Sequence, residues 1–178
     1  MRKVVKALYN PFIKLYFYSK LKSFIKSKQS NSYLVLDIDN TIADTWKNIE
    51  NFKKNRKNFF FNLLPLVGTI QYVKEKYGHL PIIFLSNRNI IDYQVTKDWL
   101  QKNGFNTPEC LLILTNDPID KLPYLKYLTN NYAVTYFDDL TYNHENGNEL
   151  YYHEVINEVK KMKIDYFDYE FILKLNSN

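Results

Sequence analysis

Two aspartates, Asp37 and Asp39, directly follow a short apolar run over residues 33–36. Such a run is typical of a strand buried on both faces, and side chains two residues apart on a strand lie on the same face. The two carboxylates would concentrate negative charge, which a cation or a proton must balance. The spacing therefore predicts a nucleophile at Asp37, an acid/base at Asp39 and a bound Mg²⁺. The alternative is two solvated aspartates at the end of a strand.

The composition indicates a single globular domain. The chain has 178 residues, of which 46% are apolar, so it is long enough to bury a hydrophobic core. Cys110 is the one cysteine, which excludes an internal disulfide framework, and three histidines beside it offer no structural zinc spacing. We therefore expect the apolar core to hold the fold together without disulfides or zinc.

The positive charge is concentrated at the beginning of the chain. Residues 1–36 contain eight lysines or arginines and no acid, whereas the remaining 142 residues contain 16 basic and 19 acidic residues. We divide the chain into a basic helical leader over residues 1–30 and a catalytic domain over residues 31–178. Lysines interrupt the apolar residues of the leader, so we expect neither a signal-peptide core nor a membrane span.

The leader has three possible roles. A basic, aromatic segment over residues 1–28 can contact an anionic membrane surface, pack on the body or bind another partner. Pro11 is expected to break or kink its first helix. These features predict a cytoplasmic protein, with peripheral membrane contact as one alternative.

Strands and helices alternate after the first strand. Predominantly apolar runs predict strands over residues 81–85, 111–114 and 133–137, with a further short strand near residues 164–167. Helical periodicity predicts helices over residues 63–77, 90–103, 121–129 and 149–162. Residues 45–62 are polar, basic and aromatic, and we interpret them as a small cap or flap. The alternation predicts an α/β fold, a Rossmann-like parallel sheet flanked by helices.

Polar residues follow three of the later strands. The carboxyl ends of parallel strands meet at one edge of the sheet, where open α/β folds bind ligands. Ser86 can hold a phosphate oxygen there, and Lys121 can pair with a phosphate and with the nucleophile. The alternatives are a helix cap at Ser86 and a surface lysine at Lys121, with Lys126 as the second candidate.

Asp138 and Asp139 form a second carboxylate pair after the fourth predicted strand. Adjacent side chains on a strand diverge, so we expect one carboxylate to bind metal directly and the other to act through water or a neighbouring group. Asn143 would orient them. His144, in the same polar loop, is interpreted as a solvated loop histidine with substrate contact as the alternative.

Four segments, in this order, resemble the motifs of the haloacid dehalogenase-like phosphohydrolases over roughly residues 33–145. The first motif is matched by residues 37–41, the second by Leu85-Ser86, the third by Lys121 and the fourth by Asp138-Asp139 with Asn143. The run Ser86-Asn87-Arg88 is similar to the Thr-Gly-Arg of several acid phosphatases and polynucleotide 3′-phosphatases. It also resembles, in part, the Ser-x-Arg of lipin-type phosphatidate phosphatases.

The resemblance implies a fold with a minimal cap, Mg²⁺ as cofactor and roles for particular residues. Asp37 would attack phosphorus, and Asp39 would protonate the leaving group and then activate water. The expected sets are Asp37, Asp39, Ser86 and Lys121 for catalysis, Asn40, Thr41, Asn87 and Arg88 for substrate binding, and Asp37, Asp39, Asp138 and Asp139 for metal. Within the metal set, Asp39 would offer its backbone carbonyl and Asp139 its carboxylate.

The expected function is a Mg²⁺-dependent phosphomonoesterase that forms an aspartyl-phosphate intermediate. Its substrate would be a small phosphorylated metabolite, such as a sugar phosphate or a nucleotide. A polynucleotide 3′ end or a lipid phosphate is the alternative substrate, with nucleic acid the less favoured partner. A non-catalytic, membrane-associated protein that binds phosphorylated ligands is the alternative of another class, and the intact Asp37/Asp39 pair argues against it.

Overall fold

Residues 2–47, 49–142 and 152–177 are described in a computed structural model, with the backbone alone for residues 2–10 and no side chain for Thr107. Asn143, His144 and the first three residues of the helix expected over 149–162 lie outside this set. The helices are α1 (Arg2–Lys28), α2 (Asn51–Lys54), α3 (Arg56–Phe61), α4 (Val67–Tyr77), α5 (Tyr93–Lys102), α6 (Leu122–Thr129), α7 (His153–Val159) and α8 (Tyr169–Asn176). The strands are β1 (Ser32–Leu36), β2 (Ala43–Asp44), β3 (Leu64–Pro65), β4 (Ile82–Ser86), β5 (Leu111–Leu114), β6 (Ala133–Phe137) and β7 (Asp165–Phe167).

Five parallel strands form the central sheet, in the order β5-β4-β1-β6-β7. β1 lies in the middle, where Leu34 is opposite Ile82 on one side and Thr135 on the other. Residues 33–36 are fully buried, as expected for a parallel sheet whose faces are covered by helices. The predicted α/β fold class is confirmed.

Short elements after β1 differ in detail from the prediction. β2 and β3 pair antiparallel, so the helix expected from residue 63 begins only at Val67. The expected cap over residues 45–62 contains the two short helices α2 and α3. Phe59 and Phe60 of α3 are buried, and this helix lies against α5. The segment is therefore packed on the body through α3.

The helix expected over residues 90–103 is divided into two parts. A 3-10 turn over Ile90–Asp92 precedes α5, and this turn shifts the helical phase. The spacing of Ile91, Val95 and Trp99 predicts that they share one buried helical face. Val95 and Trp99 are buried, but Ile91 is 74% exposed, so that prediction is wrong for Ile91. Gly104 ends the helix with φ at 80°, a conformation that glycine adopts without a Cβ penalty.

The two ends of the chain both pack on the body. α8 was not predicted; the Asp168 side chain accepts a hydrogen bond from the Phe171 amide at its start, and Ile172 is buried. At the other end, α1 runs through Pro11 as one helix, so the expected break does not occur. No helix among the described residues has both the length and the apolar character needed to cross a bilayer.

The second half of α1 contributes to the core. Phe17, Leu21 and Ile25 recur every four residues and are buried, which gives this part of the helix an apolar stripe. This packing explains why the helix persists after Pro11 despite the backbone N–H that proline lacks. The boundary at residue 30 stays a prediction, although these contacts join the leader to the body.

We expect Leu21→Ala to lower the free energy of unfolding by about 2–5 kcal/mol, because it leaves a cavity at a fully buried position. Ser23→Ala, at an exposed position on the same helix, is the control and should change it by less than about 0.5 kcal/mol. Urea denaturation would measure both. Equal, small effects would contradict a structural role for α1.

Candidate active site

The four segments converge at the carboxyl-terminal edge of the sheet. Asp37 directly follows β1, Arg88 lies two residues after β4, and Asp138 directly follows β6. Lys121 ends a 3-10 turn, Pro118–Lys121, that connects β5 to α6. The shared strand direction brings together residues that are up to about a hundred positions apart in the sequence.

A tight loop after β1 orients the second aspartate. The Ile38 carbonyl accepts hydrogen bonds from the amides of Thr41, Ile42 and Ala43. Asn40 has φ at 52°, in the left-handed region that asparagine tolerates better than most residues. The chain therefore turns sharply at residue 40, and both Asp37 and Asp39 line the same cavity.

Lys121 joins the carboxylates of Asp37 and Asp138. Its Nζ lies 2.9 Å from Asp37 Oδ1 and 2.7 Å from Asp138 Oδ2, and all three residues are buried. Burial disfavours a charged lysine, but the two carboxylates outweigh it and raise the pKa of Lys121. Lys126 instead pairs with Glu158 and is half-exposed, so Lys121 is the lysine that contacts Asp37.

Burial is the largest effect on Asp37. Loss of water, together with the nearby charges of Asp138 and Asp39, raises the pKa of Asp37 from 3.8 to about 7, although Lys121 acts in the opposite direction. In the absence of further positive charge, the ionised form of Asp37 is therefore disfavoured. A divalent cation would favour the ionised form of Asp37.

Asp138 is held by two neighbouring groups. The Tyr136 hydroxyl donates a hydrogen bond to Asp138 Oδ2, the same oxygen that Lys121 contacts. The Tyr166 hydroxyl donates to the backbone carbonyl of Asp138 over 3.0 Å. Asp138 Oδ1 is buried and has no hydrogen-bond donor among the described residues. That oxygen is an acceptor whose position suits a cation.

Asp37, Asp138 and Asp139 each place a carboxylate oxygen within 4.8 Å of the others. Hard divalent cations such as Mg²⁺ prefer oxygen ligands of this kind. The acceptor at Asp138 Oδ1 supports the same fit. The carboxylates of these three residues would therefore hold a metal ion, and both members of the Asp138-Asp139 pair can contribute. The backbone carbonyl of Asp39 stays a predicted ligand.

Arg88 forms a bidentate ion pair with Asp39. Its Nε lies 2.8 Å from Asp39 Oδ2, and its Nη2 lies 2.7 Å from Asp39 Oδ1. The Thr45 hydroxyl donates to Asp39 Oδ1 over 2.5 Å. Burial alone would raise the pKa of Asp39, but the charge and hydrogen bonds of Arg88, with that of Thr45, lower it. Asp37 and Asp39 thus have pKa values displaced in opposite directions.

Arg88 is itself held by α5 and by the cap. Its Nη1 donates to Thr96 Oγ1 over 3.1 Å, and its guanidinium lies 4.3 Å from the centre of the Phe60 ring. Arg56 lies 5.4 Å from the same ring and forms a bidentate ion pair with Asp92. Phe60 therefore contacts two arginines, each of which is neutralised by an aspartate. Through Arg88 it connects α3 to the ion pair between Arg88 and Asp39.

The remaining predicted residues differ in their exposure to the cavity. Asn40 and Asn87 line it, whereas Ser86 is fully buried, with its hydroxyl 3.4 Å from Asp39 Oδ2. Thr41 is also fully buried, and its hydroxyl has no hydrogen-bond partner among the described residues. Thr41 is enclosed and Arg88 is paired with Asp39, so neither side chain faces the cavity freely. Their contact with substrate stays a prediction.

The cavity has a volume of about 200 Å³. Its lining residues are Asp37, Asp39, Asn40, Thr45, Trp46, Ile49, Asn87, Pro118, Lys121, Asp138, Asp139, Leu140 and Tyr152. Polar groups form its floor at the strand ends, and Trp46, Ile49 and Tyr152 add apolar surface. A space of this size suits a phosphate with a small attached group.

Sequence reasoning missed several of these residues. Tyr136 was detectable, because it lies two residues before Asp138 and so shares its face of the strand. Thr45, Phe60 and Tyr152 carried no comparable signal, since their positions depend on how the cap and α7 pack.

Comparison with known proteins gives a limited likeness. No protein-family model matches the chain, and no curated protein matches it. A structure of the class C acid phosphatase from Bacillus anthracis with tungstate bound aligns over 93% of this chain and 78% of that one, with 16% identity and a TM-score of 0.48. A second structure of that enzyme aligns over 96% and 84%, with 14% identity and a TM-score of 0.45. We draw no functional conclusion from a likeness at this level.

Proposed function

We propose that this protein is a Mg²⁺-dependent phosphomonoesterase that uses Asp37 as its nucleophile. The observation that carries the proposal is the buried cluster of Asp37, Lys121 and Asp138, with Asp139 beside it, at the carboxyl ends of parallel strands. Phosphoryl transfer depends mainly on positioning and charge neutralisation. This cluster can provide both for a phosphate in the adjoining cavity.

Bound Mg²⁺ would neutralise charge on the phosphate and on the carboxylates of Asp37, Asp138 and Asp139. Asp37 would attack phosphorus through a carboxylate oxygen, which forms the P–O bond of an aspartyl phosphate as the bond to the leaving alcohol breaks. Lys121 would hold the Asp37 carboxylate in place and offer positive charge to the phosphate. Water would then displace phosphate from Asp37.

Asp39 would act as the general acid of the first step and the general base of the second. In the first step the leaving alcohol needs a proton, and in the second the attacking water must lose one. Arg88 and Thr45 favour the ionised form of Asp39, which suits the base of the second step. To act as an acid in the first step, Asp39 must take up a proton as its contacts with Arg88 weaken.

The proposed substrate is a small phosphorylated metabolite, such as a sugar phosphate or a nucleotide. The modest cavity volume and its apolar wall of Trp46, Ile49 and Tyr152 support a compact leaving group. Phosphate release from a panel of phosphorylated sugars, nucleotides, 3′-phosphorylated oligonucleotides and phosphatidate would rank these classes.

The first test is metal dependence with p-nitrophenyl phosphate. We expect hydrolysis that EDTA abolishes and Mg²⁺ restores. Asp139→Asn should raise the Mg²⁺ concentration needed for half-maximal activity by roughly 10-fold or more, since it removes a ligand charge. Asp165→Asn, an exposed aspartate in β7, is the matched control and should behave as the wild type. Hydrolysis that resists EDTA, or no hydrolysis of any ester in the panel, would contradict the proposal.

A further inference from the structure

The first half of α1 exposes large apolar side chains in the described part of the chain. Phe12, Leu15 and Tyr16 are 72%, 68% and 51% exposed, and their spacing of three and four residues places them on one face of the helix. Ile91, in the neighbouring 3-10 turn, is 74% exposed. We call these four residues the apolar end.

A groove adjoins the apolar end. Its lining residues are Phe12, Ile13, Tyr16, Ile90 and Tyr93, and its volume is about 440 Å³. The groove lies between α1 and the start of α5, so two separate parts of the chain contribute to one apolar surface. A patch built from two segments indicates an interaction surface rather than scattered exposed residues.

The apolar end lies at the same edge of the sheet as the candidate active site. Lys14 pairs with Asp120 over 2.6 Å, and Asp120 directly precedes Lys121. Further along the helix, Lys28 pairs with Glu109, which precedes β5 at the opposite edge. α1 therefore runs antiparallel to β5. At 1.5 Å per residue, the part of the helix before Lys14 extends about 18 Å beyond that anchor.

The exposed positions change character along the helix. After Tyr16 they are Ser19, Lys20, Lys22, Ser23, Lys26 and Ser27. Residues 1–30 contain eight basic residues and no acid. An apolar tip followed by lysines is complementary to an anionic bilayer, where apolar side chains enter the boundary of the acyl chains and lysines contact phosphates. The aliphatic Leu15 and Ile91 favour lipid over nucleic acid, whose bases stack on aromatic rings.

We propose that α1 and the turn over Ile90–Asp92 form a docking face for anionic membranes. The face holds the carboxyl-terminal edge of the sheet close to the lipid headgroups. Binding needs both the apolar end and the lysines of the helix, since neither the apolar area nor the charge alone gives stable attachment. The proposal does not depend on which reaction the active site catalyses.

The test measures partition of the full chain onto vesicles of phosphatidylcholine with and without 30% phosphatidylglycerol. At low salt we expect binding to the anionic vesicles alone, and loss of that binding as salt rises. Lys20→Gln with Lys22→Gln should weaken it roughly 30-fold. The control, Lys76→Gln with Lys160→Gln, changes the charge equally at exposed sites outside α1 and should leave binding unchanged.

The apolar end is tested separately. Phe12→Ser with Leu15→Ser should weaken binding by roughly 10-fold or more. Its control, Val67→Ser with Leu173→Ser, removes two apolar side chains outside α1 that are 54% and 51% exposed, and it should bind as the wild type. Because all four side chains are exposed, melting temperatures should confirm that both variants fold.

Several outcomes would overturn the proposal. Equal binding to neutral and anionic vesicles would refute the role of charge, and full binding by the Phe12/Leu15 variant would refute the apolar end. Tighter binding to a single-stranded oligonucleotide than to vesicles would assign the face to nucleic acid. Self-association in analytical ultracentrifugation that the Phe12/Leu15 variant loses, without any change in vesicle binding, would assign it to a second copy of this chain.

Discussion

Asp37→Asn is expected to reduce phosphate release by on the order of 10⁴-fold or more, the scale on which covalent enzymes lose activity when their nucleophile is removed. The substitution keeps the shape of the side chain but removes the attacking charge and one metal ligand. Lys121 would keep its contact with Asp138, so the surrounding cluster should persist. Steady-state hydrolysis of p-nitrophenyl phosphate would measure the loss.

Stability measurements separate this loss from unfolding. Burial raises the pKa of Asp37 from 3.8 to about 7, so the folded state binds this proton more tightly than the unfolded state. In metal-free wild-type protein, the associated stability is present below pH 3.8 and is lost as pH rises through about 7. Asparagine has no proton to lose, so metal-free Asp37→Asn should melt no lower than the wild type at pH 8. Added Mg²⁺ should raise the melting temperature of Asp37→Asn by less than that of the wild type, because the variant lacks one metal ligand. Substantial remaining Mg²⁺-dependent turnover in a folded variant would refute the nucleophile.

Asp39→Asn is expected to slow turnover by roughly 10²–10⁴-fold, the usual range for loss of a general acid or base. Because Arg88 and Thr45 favour the ionised form of Asp39, we expect the larger part of this loss in the hydrolysis of the aspartyl phosphate. With an aryl phosphate, whose leaving group needs little protonation, the variant should release a rapid burst of about one equivalent of phenolate. Stopped-flow absorbance would detect it.

A matched variant tests the same assignment. Thr45→Val removes the hydroxyl that donates to Asp39 but leaves the ion pair with Arg88, so its turnover should fall by less than that of Asp39→Asn. Esters with poor leaving groups should suffer more in Asp39→Asn than aryl phosphates do. If Asp39→Asn equals the wild type on such esters and shows no burst, the proposed proton transfer is wrong.

The strands were the most predictable part of the fold. Residues 33–36 and 111–114 are continuous apolar runs, and residues 133–137 are apolar except for Thr135; a strand buried on both faces leaves such a pattern in the sequence. The positions of Asp37 and Asp138 followed from it, because a side chain directly after a parallel strand must lie at one edge of the sheet. The position of Lys121 was harder to predict, since the 3-10 turn that directs it toward Asp37 has no strong periodic signal in the sequence.

Features that depend on contacts between distant segments were not predictable. Ile91 has the spacing of a buried helical residue, but one 3-10 turn rotates it to the surface. The ion pair between Arg88 and Asp39 was not predicted from the sequence, because it depends on Phe60 and Thr96, which contact the guanidinium. A single sequence contains no signal for a contact between Phe60 and Arg88, which are 28 positions apart and in different elements.

The central place of β1 in the sheet has a consequence for how the chain reaches its native state. β1 is first in the sequence, but its partners β4 and β6 begin about 50 and 100 residues later. Neither edge of β1 can form its backbone hydrogen bonds with a strand that is close in the sequence. Chain entropy must therefore be lost in closing long loops before β1 pairs with either partner. High contact order of this kind slows folding and leaves apolar strand edges exposed to intermolecular pairing meanwhile. Newly synthesised chains therefore pass through a period in which the central strand of the finished protein is open to pairing with other chains.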